Sequence, residues 1–247
     1  MNVRLSAIVA IAAVGYGVIA AAARPQQFKD FRTPAPLAPG NTLIIGFLGG
    51  WEPWDNDHRL ARKLALRIRA MNLPGVYVET VENHRRALAR ELVIRAWDRN
   101  GDGRLDATEQ SAIKLILYGQ SFGGAAVVKL AQELEPLAVP VLLTVQVDSI
   151  GRGDDAIPPN VRAAANFFQH DGFPIRGRSR IVPRDGARTK ILFNRQFNYS
   201  GKKVDLSGYA WYQRWFRAAH TKMDADPDVW TEVERLILSE LNSVFRK

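Results

Sequence analysis

A strand-like run that leads through Gly-x-Ser-x-Gly directly into a helix-like segment is the feature that most constrains the fold. Residues 114–118 are mainly apolar, residues 119–123 read Gly-Gln-Ser-Phe-Gly, and residues 124–131 are alanine-rich with helical spacing. A sharp strand-to-helix turn of this kind exposes its central serine at the end of a sheet, and the flanking glycines leave room for close backbone packing. The helix N-terminus favours negative charge beside that serine. The context therefore predicts Ser121 as a nucleophile, although the same five residues elsewhere often form only a glycine-rich turn.

Strand-like and helix-like segments alternate along most of the chain. Apolar runs predict buried strands at 42–47, 76–81, 114–118 and 139–147, and apolar residues at helical spacing predict helices at 59–71 and 84–97. Beyond residue 151 the pattern weakens, and we expect a short helix at 160–168, late strands at 181–182 and 190–194, and an amphipathic helix at 227–245. This alternation predicts an α/β fold with a mostly parallel sheet covered by helices on both faces.

The first 23 residues are predicted to be a targeting segment and are excluded from the fold. A positive charge at Arg4, an apolar run over 5–23 and alanines at its end are typical of a secretory signal peptide cleaved near Arg24. The run is also almost long enough to span a bilayer, so an uncleaved N-terminal membrane anchor is the alternative. Residues 24–40 hold four prolines and predict an extended leader, which leaves 41–247 as one domain of an exported, periplasmic or extracellular protein.

The composition limits the partners and the means of stabilisation. The chain has no cysteine, so disulfides and attachment of lipid through cysteine are both excluded. Its formal net charge is +9, and arginines cluster over 176–180. We interpret this cluster as a solvated basic face, with attraction to anionic lipid or polymer surfaces as the alternative. The sequence shows no nucleic-acid-binding motif, and we expect a monomer.

Three segments together resemble the α/β-hydrolase superfamily, in its lipase and esterase branch. They are Gly-Gln-Ser-Phe-Gly-Gly at 119–124, Gly-Phe-Leu-Gly-Gly at 46–50, and His220 ahead of a helix that begins with Asp-Pro. The resemblance covers residues 41–245 and implies a serine hydrolase of carboxylic esters or lipids, without an organic cofactor. The chain departs from the family at Gln120, where histidine is common, and at Gly46-Phe47, where His-Gly is common. It begins at what would be the third strand of the full fold, so a trimmed sheet is expected.

The resemblance implies that an acid and then a histidine follow the serine in the chain. The histidine accepts the serine proton, and the carboxylate fixes the tautomer of the histidine. His170 and His220 are the histidines that follow Ser121, and His220 is expected on the last loop, just before the terminal helix. His220 is therefore the predicted base, with His170 as the alternative.

Asp148 is the predicted acid of this constellation. It directly follows the apolar run 139–147 and is expected at the same carboxyl edge of the sheet as Ser121, where open α/β sheets place their chemistry. A carboxylate at a strand end can instead serve to turn the chain. Asp171 and Asp205 are the alternative acids.

An oxyanion hole needs two backbone N–H groups aimed at the developing negative oxygen. Phe122, which follows the serine, is the first predicted donor, and the glycine-rich loop after the first strand supplies the second. Within that loop we choose Leu48, with Phe47 as the alternative. Trp51 and Trp54 follow the loop and either line an acyl pocket or pack beneath it.

Residues 98–109 match the EF-hand calcium loop at each diagnostic position. This loop type supplies side-chain oxygens at positions one, three, five, nine and twelve and a backbone carbonyl at seven, around a glycine at six. The predicted ligands are Asp98, Asn100, Asp102, Arg104 through its carbonyl, Asp106 and Glu109, with Gly103 at the turn. The segment thus predicts a Ca²⁺ site similar to single EF-hand and dockerin-type loops, and an acidic turn between helices is the alternative.

The position of this loop predicts a structural role for calcium. Glu109 precedes the strand 114–118, whereas Ser121 follows it. A strand of that length spans roughly 17 Å, so the ion and the serine are expected at opposite ends of the strand. Without the ion, the acidic side chains repel one another and the loop should fray.

Two functional hypotheses follow from these motifs. The first is an exported, calcium-stabilised serine hydrolase that acts on a small-molecule or lipid ester. The second is a non-catalytic, calcium-binding scaffold of the same fold, with its basic surface as the working face. The presence of Ser121, Asp148 and His220 in the required order favours the enzyme.

Overall fold

The computed structural model describes residues 24–172, 175–216 and 218–245, and the predicted signal peptide at 1–23 lies outside these residues. The strands of its central sheet are β1 (Thr42–Leu48), β2 (Val76–Glu82), β3 (Leu115–Gln120), β4 (Val141–Val147), β6 (Val161–Gln169) and β8 (Lys190–Phe197). Their order across the sheet is β2-β1-β3-β4-β6-β8, and every neighbouring pair is parallel. Two short strands, β5 (Ala156–Ile157) and β7 (Val182–Pro183), pair separately.

Helices cover both faces of this sheet. They are α1 (Leu60–Ala70), α2 (Arg86–Trp97), α3 (Ala107–Ser111), α4 (Phe122–Leu134), α5 (Trp211–Phe216), α6 (Ala218–Ala225) and α7 (Pro227–Phe245). One hydrophobic cluster includes residues of α2 and α4, and a second includes residues of α1, α6 and α7. The parallel sheet between two helical layers confirms the predicted α/β fold. In the ranges that the structure describes, none of the helices is long and apolar enough to span a bilayer.

Strand β1 shows how the sequence divides the core. All of its residues are buried. Leu43, Ile45 and Phe47 belong to the cluster with α2 and α4, whereas Ile44 and Leu48 belong to the cluster on the other face. Successive side chains of a strand point to opposite faces, so an apolar run without polar alternation fits a strand that is covered on both sides.

The predicted helix at 160–168 is wrong. These residues form β6, which pairs with β4 and β8 inside the sheet. Alanines at 163–165 favour a helix locally, but they are buried between neighbouring strands, and tertiary packing overrides local propensity. The other predicted strands and helices are confirmed with shifted ends: the strand predicted at 139–147 begins at Val141, and that predicted at 190–194 extends to Phe197.

The proline-rich leader packs against the edge strand β2. The Thr33 N–H and hydroxyl both donate to a carboxylate oxygen of Glu79 at 2.8 Å, and the Gln26 side chain donates to the Thr80 carbonyl at 2.8 Å. An uncovered edge strand would expose unpaired backbone groups. The leader therefore covers part of this edge.

Candidate active site

Ser121 lies on a strained turn between β3 and α4. Its φ of 57° and ψ of −124° are rare for a residue other than glycine, and a conformation of this kind costs of order 1–3 kcal/mol. Two backbone bonds fix the turn: the Ser121 N–H donates to the Val147 carbonyl at 2.9 Å, and the Ile150 N–H donates to the Ser121 carbonyl at 3.1 Å. Strained residues cluster at active sites, so this turn is a candidate site in its own right.

The two glycines of the motif let α4 approach the sheet closely. A Cβ at Gly119 would lie 2.4 Å from the Gly123 carbonyl oxygen, and a Cβ at Gly123 would lie 2.3 Å from the Phe47 carbonyl oxygen. Both distances are far below van der Waals contact, and the atoms met belong to the backbone. Alanine at either position would push α4 away from the sheet and displace Ser121.

The structure brings the three predicted triad side chains into one hydrogen-bonded chain. His220 Nε2 lies 3.0 Å from Ser121 Oγ, and His220 Nδ1 lies 2.6 Å from Asp148 Oδ2. All three residues are at most 7% exposed. The placement of His220 on a loop is wrong, because it lies within α6. That helix is too short to show the apolar periodicity from which helices are predicted.

Asp148 is a fully buried carboxylate surrounded by donors. It directly follows β4 and has a φ of 44°. Besides the histidine, Asp148 Oδ2 accepts from Gln169 Nε2 at 2.9 Å, and Oδ1 accepts from the Gly177 N–H at 2.9 Å. Position 177 requires glycine, since a Cβ there would lie 2.2 Å from Asp148 Oδ1. Hydrogen bonds from these donors replace the hydrogen bonds to water that the carboxylate loses on burial.

The alternative triad residues are exposed and do not line the cleft beside Ser121. His170 is exposed, with its ring 5.1 Å from the ring of Phe168. Asp171 and Asp205 are also exposed, and each accepts a hydrogen bond from a backbone N–H group. Among the described residues, the three are absent from the set that lines the cleft beside the serine.

This cleft beside Ser121 has a volume of about 200 Å³. Its lining comes from β3, from the segments after β1, β3, β4 and β6, and from α4, α5 and α6: Gly49, Gly50, Glu52, Gln120, Ser121, Phe122, Ile150, Ile175, Arg176, Gln213, His220, Thr221 and Asp224. Pockets for drug-sized ligands are larger, about 300–1,000 Å³. The cleft therefore suits a small substrate.

The backbone near the cleft offers candidates for an oxyanion hole. Phe122 lines the cleft as the first residue of α4, and N–H groups in the first turn of a helix have no acceptor within the helix. Leu48 is fully buried at the end of β1, and its carbonyl accepts from the Asn83 side chain at 3.1 Å. The loop residues that line the cleft are Gly49 and Gly50. The Leu48 N–H therefore stays a prediction, as does the Phe122 N–H.

The predicted acyl-pocket role of Trp51 and Trp54 is not supported, because neither side chain lines the cleft. Trp51 is 56% exposed, with its ring 5.8 Å from the ring of His84. The guanidinium of Arg62 lies 5.6 Å from the centre of the Trp54 ring. Neither tryptophan is among the described residues that line the cleft.

A buried ionic cluster borders the cleft and could not be predicted from the motifs. Arg59 Nε lies 2.6 Å from Glu52 Oε1, and Arg59 Nη1 lies 3.6 Å from Asp224 Oδ2. The Arg59 guanidinium also lies over the Tyr209 ring, 4.1 Å from its centre. Burial, assisted by the charge of Asp224, outweighs Arg59 and raises the pKa of Glu52 to about 8. The cluster joins the loop after β1 to α6. This helix carries both His220 and Asp224, with His220 one turn before Asp224.

The predicted calcium loop is folded into successive tight turns. Asp98 accepts from the N–H groups of Gly101 at 2.7 Å and Gly103 at 2.8 Å. Both glycines have positive φ, 76° and 79°, a conformation that glycine adopts without steric cost. Asn100 Oδ1 accepts from the Asp102 N–H at 2.8 Å. The two glycines therefore lie at the positions where the loop requires a positive φ.

The far end of the loop closes onto its beginning. The Glu109 N–H donates to Asp106 Oδ1 at 2.8 Å, and the Asp106 N–H donates to Glu109 Oε2 at 2.9 Å, a reciprocal cap at the start of α3. Glu109 Oε1 accepts from the Arg99 N–H at 2.7 Å, and Arg104 is exposed at the middle of the loop. Within the described parts of the chain, no three His, Asp or Glu side chains are close enough together to hold a metal ion. The backbone turns fit an EF-hand loop, whereas the carboxylates bind N–H groups, and calcium binding stays a prediction.

Comparison with known proteins finds distant likenesses among solved structures. No family model matches the sequence, and no curated protein matches it. Among solved structures, a dienelactone hydrolase from Anabaena variabilis is 11% identical, with 82% of this chain and 86% of that chain covered and a TM-score of 0.43. A cutinase-like protein from Cryptococcus sp. is 16% identical over 84% of this chain and 98% of that chain, with a TM-score of 0.43. An esterase B from Lactobacillus rhamnosis is 10% identical over 98% and 96%, with a TM-score of 0.41.

The strand order and the serine turn identify the fold. The parallel sheet, the helices on both faces and the strand–serine–helix turn match the α/β-hydrolase fold. Because a fold hosts many activities, the function has to be inferred from the site.

Proposed function

We propose that this protein is a serine hydrolase of carboxylic ester bonds, with Ser121 as nucleophile, His220 as general base and Asp148 as the acid that orients the histidine. The observation that carries the proposal is the chain of hydrogen bonds from Ser121 Oγ through both ring nitrogens of His220 to Asp148. A serine hydroxyl becomes nucleophilic when a base takes its proton and a carboxylate holds that base in the correct tautomer.

In the proposed reaction, the Ser121 oxygen attacks the ester carbonyl carbon while His220 Nε2 takes the serine proton. The carbonyl oxygen becomes negative and accepts hydrogen bonds from backbone N–H groups. For these donors we propose Phe122 and Leu48, with Gly49 and Gly50 as the nearest loop residues. The intermediate then collapses, the alcohol leaves with the proton from the histidine, and an acyl-serine remains. Water that gives its proton to the same histidine attacks the acyl group, releases the acid and restores the serine.

The substrate class that we propose is a small-molecule ester. The cleft volume of about 200 Å³ favours a short acyl chain over a long lipid chain. We further propose that the protein is exported to the periplasm or beyond the cell, because its first 23 residues have the pattern of a signal peptide. Tethering through an uncleaved N-terminal segment is the alternative for its location.

We also propose that the loop 98–109 binds one structural Ca²⁺. Side-chain oxygens would come from Asp98, Asn100, Asp102, Asp106 and Glu109, and a carbonyl oxygen from Arg104. The positive φ of its two glycines and its closure by the cap at α3 support this loop type. The loop precedes β3 and Ser121 follows β3, so the ion would stabilise the fold without a part in the reaction.

Hydrolysis of p-nitrophenyl acetate tests the enzymatic proposal. We expect Ser121→Ala and His220→Ala each to lose about 10⁴-fold or more in kcat, because residues that act as a unit fail together. His170→Ala is the matched control and should keep wild-type turnover, since His170 is exposed and does not line the cleft. Circular dichroism of each variant checks that the fold is unchanged.

The outcomes separate the two functional hypotheses. Wild-type turnover by Ser121→Ala would reject this serine as the nucleophile. A folded wild-type protein that hydrolyses neither esters nor thioesters would favour the non-catalytic scaffold.

A further inference from the structure

Gln120 is a buried polar residue beside the triad that the reaction scheme leaves unused. It is the last residue of β3, precedes the nucleophile and is 4% exposed. Gln120 Nε2 lies 3.2 Å from His220 Nε2. Its Oε1 lies against the loop after β1, where a Cβ at Gly49 would come within 2.2 Å of it. The side chain therefore spans the distance from that loop to the histidine.

The hydrogen-bond donors around His220 fix the direction of this contact. Nδ1 carries the proton that is donated to Asp148, so Nε2 of the neutral ring is an acceptor. The Gln120 amide nitrogen is a donor, and it points at this acceptor together with the Ser121 hydroxyl. Once the ring is protonated, Nε2 carries a hydrogen and the same amide faces another donor. The contact therefore favours the neutral imidazole, which is the form that accepts the serine proton.

The sheet holds both contacts in a fixed relation. Gln120 pairs with Val147 across β3 and β4, and Asp148 is the next residue after Val147. The imidazole is thus held at Nε2 from one strand end and at Nδ1 from the neighbouring strand end. Groups held by adjacent strands move little relative to each other, which is the condition for a well-oriented base.

We propose that Gln120 is a positioning residue, which uses its side-chain amide to hold His220 Nε2 within reach of Ser121 and to favour the neutral imidazole. This inference rests on the hydrolase activity proposed above. The titratable and charged groups that share the surroundings of His220 are Asp148 on its Nδ1 side, Asp224 one turn further along α6, and Glu52 and Arg176 in the lining of the cleft.

Two substitutions of similar shape test this role. Gln120→Met keeps the length of the side chain and removes the donor, and we expect about a tenfold loss in kcat with little change in KM. The acidic limb of its pH–kcat profile should move to higher pH. Gln120→Glu places a carboxylate beside the ring, which favours the charged imidazole, so this limb should move up by about one unit or more.

Gln132→Met is the matched control for the methionine variant. Its side-chain amide donates to the carbonyls of Gly153 and Ala156, outside the catalytic cleft. This variant should keep the wild-type kcat and pH profile. The same proteins are also exposed to a fluorophosphonate, whose rate of reaction with Ser121 measures nucleophilicity without an ester substrate.

The results distinguish the positioning role from the proposed hydrolase activity. A folded Gln120→Met variant with wild-type kcat and an unshifted acidic limb would overturn the positioning role, while labelled Ser121 would leave the hydrolase standing. If the methionine variant fails to fold, an unshifted limb in Gln120→Glu overturns the role equally. A wild-type protein that neither turns over esters nor reacts with the probe would reject both.

Discussion

Replacement of Asp148 by asparagine separates the role of its charge from the role of its shape. Asp148 Oδ2 accepts from His220 and from the Gln169 side chain, while Oδ1 accepts from the Gly177 N–H. Because these neighbours are all donors, the amide NH₂ of asparagine faces a donor whichever way the group is turned. Asparagine tolerates the positive φ of 44° at this position, so the backbone should be retained.

The expected losses follow from these contacts. The histidine loses the acceptor that fixes its tautomer, and a change of this kind costs about 10⁴-fold in kcat. One buried donor without an acceptor costs about 1–3 kcal/mol in the free energy of unfolding. For a domain of this size, that corresponds to a fall in Tm of about 2–12 °C.

The assay is ester hydrolysis from pH 6 to 9, with thermal unfolding measured on the same samples. Asp205→Asn is the matched control, since this exposed aspartate is one of the two alternative acids and should tolerate the change in both measurements. Activity of Asp148→Asn within tenfold of wild type would refute the reasoning. A larger loss of activity in Asp205→Asn than in Asp148→Asn would assign the role of the acid to Asp205.

Two further predictions concern stability. The pKa of Glu52 is raised to about 8. Between its ordinary pKa and pH 8, the folded protein therefore holds a proton that the unfolded chain has released. The stability that this proton contributes is lost as pH rises through 8. Thermal unfolding at pH 5 and pH 9 should therefore show a smaller decrease in Tm for Glu52→Gln than for wild type, and equal decreases would contradict the shifted pKa. Added Ca²⁺ at a hundredfold excess over Kd should raise the free energy of unfolding of wild type by about 2.7 kcal/mol, and its Tm should rise accordingly. Glu109→Gln should lose most of this response because it removes the bidentate ligand, and a wild-type Tm indifferent to both Ca²⁺ and chelator would identify the loop as an acidic turn.

The parts of the fold that could be predicted are those with a local cause. The turn at Ser121 needs glycines on both sides, an apolar strand before it and a helix after it, and all of these stand within about twenty consecutive residues. Asp148 could be predicted because the carboxyl ends of parallel strands meet at one edge of the sheet. In contrast, the alanines of β6 favour a helix in the sequence. They form a strand because β6 pairs with β4 and β8 on its two sides.

The contacts around the cleft depend on residues that are distant along the chain. Gln120 meets His220 from 100 positions away. Glu52 and Asp224 meet through Arg59 only when α6 packs beside the loop after β1. No periodicity or motif joins such pairs, so they become visible only with the tertiary structure.

Covalent labelling with a fluorophosphonate probe tests the assignment of Ser121 most directly. Such probes react with a serine that an adjacent base has activated, so the result does not depend on the choice of substrate. Intact-mass and peptide-mass analysis should show one adduct per chain, located on Ser121, and formation of this adduct should be much slower in His220→Ala and Asp148→Asn. A folded wild-type protein without an adduct on Ser121, or a Ser121→Ala variant labelled at the wild-type rate, would contradict the proposed hydrolase.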